Sequence, residues 1–455
     1  MIKLLKNVSN KIGIDSAIAF TILSRIIQAG GGVITLLFVA KFLTKIEQGY
    51  YYTFGSILAI QIFFELGLSG IITQFVAHEN ANFVWHSKVS FSGSEESSSR
   101  LASLLKFTIK WFAVISVLLF FGLLLAGYYF FSTYGKVNIA INWQIPWVIL
   151  AITTSLTLMI SPILAFIEGL GRVKEVARVR MIQQIVQLSF VIVLFSLGLK
   201  LFSAPIAAFA SFLVVPFWIF FGYKIKLLPF IWQKIGNSQV NYRSEIFPFQ
   251  WKIALSWISG YFIFQLFNPV LFATDGPIVA GQMGMTLMAL NGVMSISMSW
   301  MSTKVPLFSG LIALKDYNKL DSVFNKTLIQ SFFINAFGLF LLIAIVFIMR
   351  HYDIKIGNSN FAERFLPFIP MIFLMVTISI NHIVFSLATY LRCHKKEPML
   401  LQSVVIGVLC SLSTITLGHY FGVLGITAGY LILTIISFVW TIYIFITKKR
   451  LWHVI

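Results

Sequence analysis

The sequence predicts an all-α integral membrane protein with twelve transmembrane helices, arranged as six plus six with both termini cytoplasmic. Three observations carry this. Of 455 residues, 58% are hydrophobic and only 11% charged, against about 45–50% and about 25% in soluble domains. Twelve apolar stretches each approach the roughly 20 residues that a spanning helix needs. The basic residues alternate in density from one connecting segment to the next, as cytoplasmic loops that collect Lys and Arg require.

The twelve stretches are 16–40, 50–75, 111–132, 145–167, 181–199, 201–223, 253–274, 276–302, 327–349, 366–391, 398–419 and 423–446. They are too long and too evenly apolar for barrel strands of about 9–11 alternating residues. The first follows a basic leader, MIKLLKNVSNK. It contains Arg25 and lacks a small-x-small cleavage site, so it reads as a retained helix rather than a signal peptide. Between stretches two and three, 76–110 carries the Ser-rich string FSGSEESSSR, which reads as flexible. Leu101, Leu104, Leu105 and Phe107 follow at helical spacing. They suit either an interfacial helix or an extended start of the third span. The 224–250 loop is the longest break near the middle, which suggests lobes at 1–224 and 251–455 joined by a linker at 225–250. With the N-terminus inside, inner segments hold 26 basic residues and outer loops 7, Arg25 completing the 34. The outer loops are all short, and no extramembrane domain is expected on either side.

This distribution accounts for most of the net charge of +19 without a polyanionic partner, and no basic run exceeds three residues. Nucleic acid is therefore not an expected partner. Cys393 and Cys410 have no metal-ligand or redox spacing. There is no GxSxG, no Walker lysine loop and no HExxH, and no nucleotide-binding domain. The chain is not expected to be an enzyme, to use a cofactor or to hold a structural metal. A secondary transporter remains, with a coupling ion, H⁺ or Na⁺, left open.

Charges within a span are costly and default to functional candidates. Arg25 lies about 13 Å deep in helix 1 and Glu65 about 16 Å deep in helix 2, at 1.5 Å per residue. Gln28 and Gln61 each sit one turn away, so two consecutive helices share a polar stripe. Two readings coexist: a structural ion pair pinning helices 1 and 2, or an anion site in which Glu65 orients the Arg25 guanidinium, a group suited to bidentate phosphate binding. Asn291, Asn381 and His382 are further polar positions within spans, with interhelical hydrogen bonding as their alternative role. At the cytoplasmic mouth, Arg172, Lys174, Arg178 and Arg180 could gather phosphate or lipid headgroups, or simply supply inside-positive charge. The first helix of each half carries an interruption, Gly30-Gly31-Gly32 in one and Asn268-Pro269 in the other. These are hinge candidates, because paired breaks mark moving or substrate-lining helices in transporters.

Three strings carry a resemblance. FLTKIEQGYYYTFGSILAIQIFFELGLSGIITQFVAHE (42–79), EGLGRVKEVARVRMIQQ (168–184) and NPVLFATDGPIVAGQMGMTLMAL (268–290) resemble the helix 1–2, 4–5 and 7–8 regions of bacterial O-antigen and capsular polysaccharide flippases. The resemblance implies the multidrug/oligosaccharidyl-lipid/polysaccharide exporter fold, two six-helix lobes around a central cavity. It implies alternating access that moves an undecaprenyl-pyrophosphate-linked oligosaccharide, an O-antigen or capsule repeat unit used in lipopolysaccharide or polysaccharide biosynthesis, across the bacterial inner membrane. Implied partners are that lipid-linked glycan, membrane lipids, and a polysaccharide polymerase with other envelope-assembly proteins. Arg25 best fits the cationic cavity so implied, while the second lobe offers no mid-span lysine or arginine. Tyr50, Tyr51, Tyr52, Trp257, Tyr261 and Trp300 could stack on sugars. The alternative is an ion-coupled small-molecule or drug exporter on the same fold. An exporter of cations would want a membrane carboxylate, and Glu65 is the only mid-span acid.

Overall fold

The computed structural model describes residues 16–135, 141–356, 359–394 and 396–453; the side chains of 16–26, 28, 29, 249, 356 and 359 lie outside the described set. Chain order is α1 (Ser16–Phe42), α2 (Lys45–Leu58), a short α3 (Ile62–Glu65), α4 (Leu68–Asn80), a hairpin of β1 (Phe83–Trp85) and β2 (Phe91–Gly93), then α5 (Glu95–Tyr134), α6 (Gln144–Gly169), α7 (Val173–Ser196), α8 (Ser203–Phe220) and α9 (Lys224–Trp232). There follow α10 (Phe247–Phe264), α11 (Phe267–Thr274), α12 (Pro277–Ala313), α13 (Tyr317–His351), a two-residue hairpin β3 (Lys355–Ile356) and β4 (Ser359–Asn360), α14 (Phe368–Arg392) and α15 (Leu400–Trp452). Among the described residues, nine helices are long and apolar enough to cross a membrane, and ten if the pair Lys45–Glu65 and Leu68–Asn80, bent by 41°, is one crossing. Phe333, Phe337, Phe340 and Phe347 on α13 are each more than half exposed. A row of exposed phenyl rings suits lipid, whereas in water the hydrophobic effect would drive them out of contact with solvent.

α15 is not one rod. Its 53 residues would measure about 80 Å at 1.5 Å per residue, far beyond a hydrocarbon layer of roughly 30 Å. Gly422 takes φ 55°, ψ −143°, a conformation that costs a side-chain-bearing residue dearly and glycine little. The chain folds back there. Gln402 Nε2 donates to the Ser437 carbonyl at 2.7 Å and to Thr441 Oγ1 at 2.8 Å, pairing the two arms.

Two compact units emerge. Unit one comprises the chain up to Gly31, then Ile60–Phe130 and Asn142–Trp257; unit two comprises Gly32–Ala59, Phe131–Ile141 and Ile258–Ile455. This division differs from the 1–224 and 251–455 lobes expected from loop length. Residues 32–59 and 131–135 belong to unit two, for a visible reason. Gly49 lies so close to α12 that a Cβ there would sit 1.9 Å from the Pro277 carbonyl oxygen, and Gln48 Nε2 donates to the Gly281 carbonyl at 2.9 Å. Tyr50, Phe54, Phe131 and Phe272 form an edge-to-face cluster with centroids 5.0–5.5 Å apart, a favoured geometry for aromatic pairs.

Unit one contains α4, α5 up to Phe130, α6 to α9, and α10 up to Trp257. Thr73 Oγ1 donates to the Ala165 carbonyl at 3.0 Å, joining α4 to α6. Ser211 Oγ donates to the Gln183 carbonyl at 3.0 Å, joining α8 to α7. Leu164, Ile167, Val176, Val179 and Val215 form a buried cluster. The Ser-rich stretch expected to be flexible is ordered: Phe91–Gly93 pairs with Phe83–Trp85, and α5 begins at Glu95. An interfacial helix separate from the third span is thus not formed; the residues run straight into it. The serines gain structure through partners far along the chain. Ser99 Oγ donates to the Ser238 carbonyl at 2.7 Å and accepts from Gly236 N–H at 2.8 Å.

Candidate functional site

The side chains of Arg25 and Gln28 lie outside the described residues. The backbone of α1 runs helically through Gly30, Gly31 and Gly32, so the triplet is no break in itself. Gln61 ends a 3₁₀ turn, Ala59–Gln61, and Glu65 ends α3; both are half-buried. Glu65 has no ion-pair partner among the described residues. Directly after it the backbone turns left-handed at Leu66 (φ 50°) and Gly67 (φ 68°). Glu65 therefore stands at the bend of helix 2. A tight 3₁₀ segment followed by a left-handed pair is how a helix ends and restarts.

In unit two, helix 7 is interrupted at residues 265–266, between α10 and α11. Pro269 suits the position: it has no N–H for the carbonyl four residues earlier, although α6, α8 and α12 run unbroken through Pro162, Pro216 and Pro306. Neighbouring Asn268 donates Nδ2–H to Ser56 Oγ at 3.0 Å. Asn381 donates to the Tyr430 hydroxyl at 3.1 Å. His382 is fully buried, with neither ring nitrogen hydrogen-bonded and its ring 6.2 Å from that of Phe332. Asn291 is exposed. Among the described residues no hydrogen bond or ring contact joins Asn291, Asn381 and His382, and Asn381 bonds between helices instead. Of the aromatics considered for sugar stacking, Tyr50 and Tyr261 are buried and Tyr52 nearly so, whereas Trp257 and Trp300 are exposed. Tyr50 cannot stack on a ligand because its ring fills the aromatic cluster and its hydroxyl donates to the Gly135 carbonyl at 3.0 Å.

The end of unit one that carries the β1–β2 hairpin holds the four basic residues of the 172–180 segment. They are not one cluster. Lys174 and Arg178 are exposed, and Arg180 pairs with Glu168 at 3.0 Å. Arg172 instead turns toward aromatic rings, its Cζ 5.0 Å from the centroid of Trp85 and 6.0 Å from that of Tyr223. Beside it Lys224, almost fully buried, pairs with Glu175 at 2.8 Å and lies 3.9 Å from the Trp218 centroid. The Tyr223 hydroxyl donates to Glu175 at 2.9 Å.

Three functional-looking groups carry little sequence signal. Arg100 binds Glu79 at 2.8 Å and Glu245 at 2.6 Å, clasping the end of α4, the start of α5 and the approach to α10. The hydrogen bond from Arg100 holds the Glu245 carboxyl below the usual carboxylate range. Arg364, buried in a loop of unit two, donates to Gln48 Oε1 at 3.0 Å and to the Leu43 carbonyl at 2.6 Å. Of the hairpin, Trp85 faces Arg172 and Lys88 lies 5.6 Å from the centroid of the Tyr223 ring. Only their unlike charges and aromatic rings could have marked these groups, and the partners stand too far apart in the chain for spacing to connect them. Among the described residues no group of three or more His, Cys, Asp or Glu could hold a metal ion.

No family model matches the chain, and no curated protein resembles it in sequence. Solved structures do resemble it in fold. A multidrug resistance MATE family transporter of the MOP superfamily, in an inward-facing conformation, superimposes with a TM-score of 0.67 at 14% identity, over 93% of this chain and 96% of that one. The lipid II flippase MurJ in an inward closed conformation gives 0.54 at 13% identity, over 94% and 86%. A MOP superfamily transporter from Pyrococcus furiosus, described as having a binding pocket of reverse polarity, gives 0.54 at 13% identity, over 95% and 96%. The chain thus has the fold of MOP superfamily transporters and is a multi-pass membrane protein.

Proposed function

We propose that the protein is a flippase that carries an undecaprenyl-pyrophosphate-linked oligosaccharide from the cytoplasmic to the outer leaflet of a bacterial inner membrane by alternating access. The observation that carries this reading is the MOP fold over almost the whole chain, shared with a lipid II flippase, together with the flippase-like strings at 42–79, 168–184 and 268–290. In this reading the chain crosses twelve times: α1, the bent helix 2, seven single helices counting α10 with α11 as one among them, α14, and the two arms of α15. Both termini are cytoplasmic, as the basic residues favour, and the hairpin end of unit one is cytoplasmic with them. Arg25 meets the pyrophosphate, Glu65 orients it, and Gln28 and Gln61 bind the glycan, while Gly31 and Gly32 supply the hinge. A polar headgroup with two phosphates cannot cross hydrocarbon without such replacement of its hydration.

The test is surface display in a cell whose own flippase gene is deleted. The chain restores polysaccharide; Arg25→Ala abolishes it, with lipid-linked repeat units accumulating on the cytoplasmic leaflet, and Arg25→Lys retains part of it. Protein level is measured in parallel, because Glu65 left alone in lipid destabilises. The charge-free double variant Arg25→Gln with Glu65→Gln separates the roles: normal export by it limits Arg25 to a structural pair. A second reading rests on the multidrug transporter likeness, which has the higher TM-score. Extrusion of a cationic dye under an ion gradient, with no polysaccharide restored, would select it.

A further inference from the structure

We propose that Trp85, Lys88, Arg172 and Tyr223 form a niche at the hairpin end of unit one that binds a phosphate-bearing lipid headgroup, with Arg172 as its main contact. The proposal deepens the flippase reading and rests on it only for the identity of a pyrophosphate cargo.

The argument begins with where the neighbouring charges are spent. Arg100, Arg180 and Lys224 each have a carboxylate partner. Arg172 and Lys88 form no ion pair among the described residues. Glu175, the acid beside them, is committed to Lys224 and to the Tyr223 hydroxyl. Three cations therefore surround the Tyr223 ring, Lys224 at 4.3 Å, Lys88 at 5.6 Å and Arg172 at 6.0 Å from its centroid, with one carboxylate among them. The niche keeps a net positive charge.

Inside-positive topology requires basic residues, yet a solvated lysine satisfies it. It does not require a guanidinium whose Nε is buried with no hydrogen-bond partner, an arrangement that costs stability unless a ligand or water completes it. The walls are also fixed in advance. Trp85 Nε1–H donates to Asn80 Oδ1 at 2.9 Å, so the indole offers Arg172 only its face. The hairpin behind it is held by Phe83 against Phe91, centroids 4.4 Å apart, and by His86 with Ser92 at 2.7 Å. A preorganised guanidinium with free donors matches phosphate by a two-pronged hydrogen bond. An aromatic wall beside basic side chains is what the headgroup layer accommodates. Lys88, exposed at the tip of the hairpin, adds a second charge to the same anion.

The experiment uses the full chain in phosphatidylcholine nanodiscs, titrated separately with farnesyl pyrophosphate, short-chain phosphatidylglycerol and inorganic pyrophosphate. Saturable binding of at least one is expected. Arg172→Gln should weaken it about tenfold, the loss of a charge-assisted contact, and Lys88→Gln about threefold, a smaller share for an exposed cation. Lys319→Gln removes one charge from an exposed lysine of unit two and should leave affinity unchanged. Equal weakening by Arg172→Gln and Lys319→Gln would reduce the niche to surface charge and overturn the proposal, as would no saturable binding of any probe. If Arg172→Gln does not fold, Arg172→Lys and Lys88→Gln take its place, and unchanged affinity in both overturns it equally. The sources separate by probe. Farnesyl pyrophosphate in preference to phosphatidylglycerol supports a cargo site. The reverse order supports a bilayer-lipid site and leaves the flippase reading to the export assay. Inorganic pyrophosphate binding without either lipid would refute headgroup recognition.

Discussion

Removing Arg100 should unlatch unit one at its hairpin end. Arg100 holds two carboxylates from distant segments, Glu79 and Glu245, and their side-chain exposures of 6% and 32%, with 23% for Arg100, set the magnitude. Breaking a buried pair costs about 3–5 kcal/mol, and an exposed pair is worth about 0–1 kcal/mol. The Glu79 half is close to the first case and the Glu245 half to the second, so Arg100→Gln should cost about 2–3 kcal/mol, most of it from Glu79 left without a partner. The assay is thermal unfolding in detergent, compared at one scan rate because membrane proteins of this size unfold irreversibly. Glu79→Gln added to Arg100→Gln should recover much of the loss, whereas Glu245→Gln should recover little. The pH dependence follows in sign. Arg100 depresses the folded-state pKa of Glu245, so this contribution is fully present above the unfolded value of about 4.3 and is lost as pH falls through the lower folded value. The gap between wild type and Arg100→Gln should therefore be flat from pH 7 to about 5 and narrow below about 4.3. An Arg100→Gln protein that melts with wild type at pH 7 would refute the clasp as a stabilising element.

Alkaline phosphatase fused after residue 455 should be inactive and fused after Tyr134 active, since the charge distribution puts the first inside and the second outside; an active terminal fusion would break the even number of crossings. Gly49→Val should lower thermal stability by about 3 kcal/mol or more, because a side chain there meets the Pro277 backbone rather than a movable side chain and overpacking of that kind is rarely relieved. Gly55→Ala, on the same helix with open space beside it, should melt near wild type, and equal destabilisation of the two would sink the close-approach account.

How far the sequence could be read follows from the range of each signal. Hydropathy is local, and each of the twelve apolar stretches has its bulk in helix. Even the turn between 398–419 and 423–446 falls where Gly422 takes its positive φ. Proline chemistry is local too, and the interruption at 265–266 lies just before Asn268-Pro269. The bend of helix 2 was less legible. It needs left-handed backbone at Leu66 as well as Gly67, and leucine gives no such signal. The string FSGSEESSSR (91–100) reads as flexible because it is rich in serine. Its order comes from Phe83 and Phe91 and from hydrogen bonds between Ser99 and residues 236–238, contacts that no window of sequence spans. The mouth residues illustrate the same limit. Arg172, Lys174, Arg178 and Arg180 are equivalent in sequence, and only the fold separates the stacked Arg172 from the paired Arg180 and the two solvated cations.

The two interruptions singled out in the sequence differ in kind. The chain passes from one compact unit to the other between Gly31 and Gly32 and again between Ala59 and Ile60. At the first passage Gly30 has open space around it, and Gly31 and Gly32 meet only the flexible ends of Leu188 and Met288. The second passage runs through the 3₁₀ turn at Ala59–Gln61 toward the left-handed pair at Leu66 and Gly67. The break before Pro269 lies wholly within unit two. There Asn268 is tied to Ser56 at 3.0 Å, and Phe267 packs on Tyr430 with centroids 4.9 Å apart. Hinges are residues at element ends that absorb changes in φ and ψ while their surroundings let them. Pro269, fastened on both flanks, shapes unit two. The glycine triplet has little packed against it but lies inside continuous α1, whereas the bend of helix 2 is packed, a Cβ on Gly67 falling 2.4 Å from Ile253. Gln61 and Glu65 belong to that bend, and Arg25 lies less than two turns from the triplet. In the flippase reading proposed above, these residues are the ones that couple cargo binding to a change of conformation.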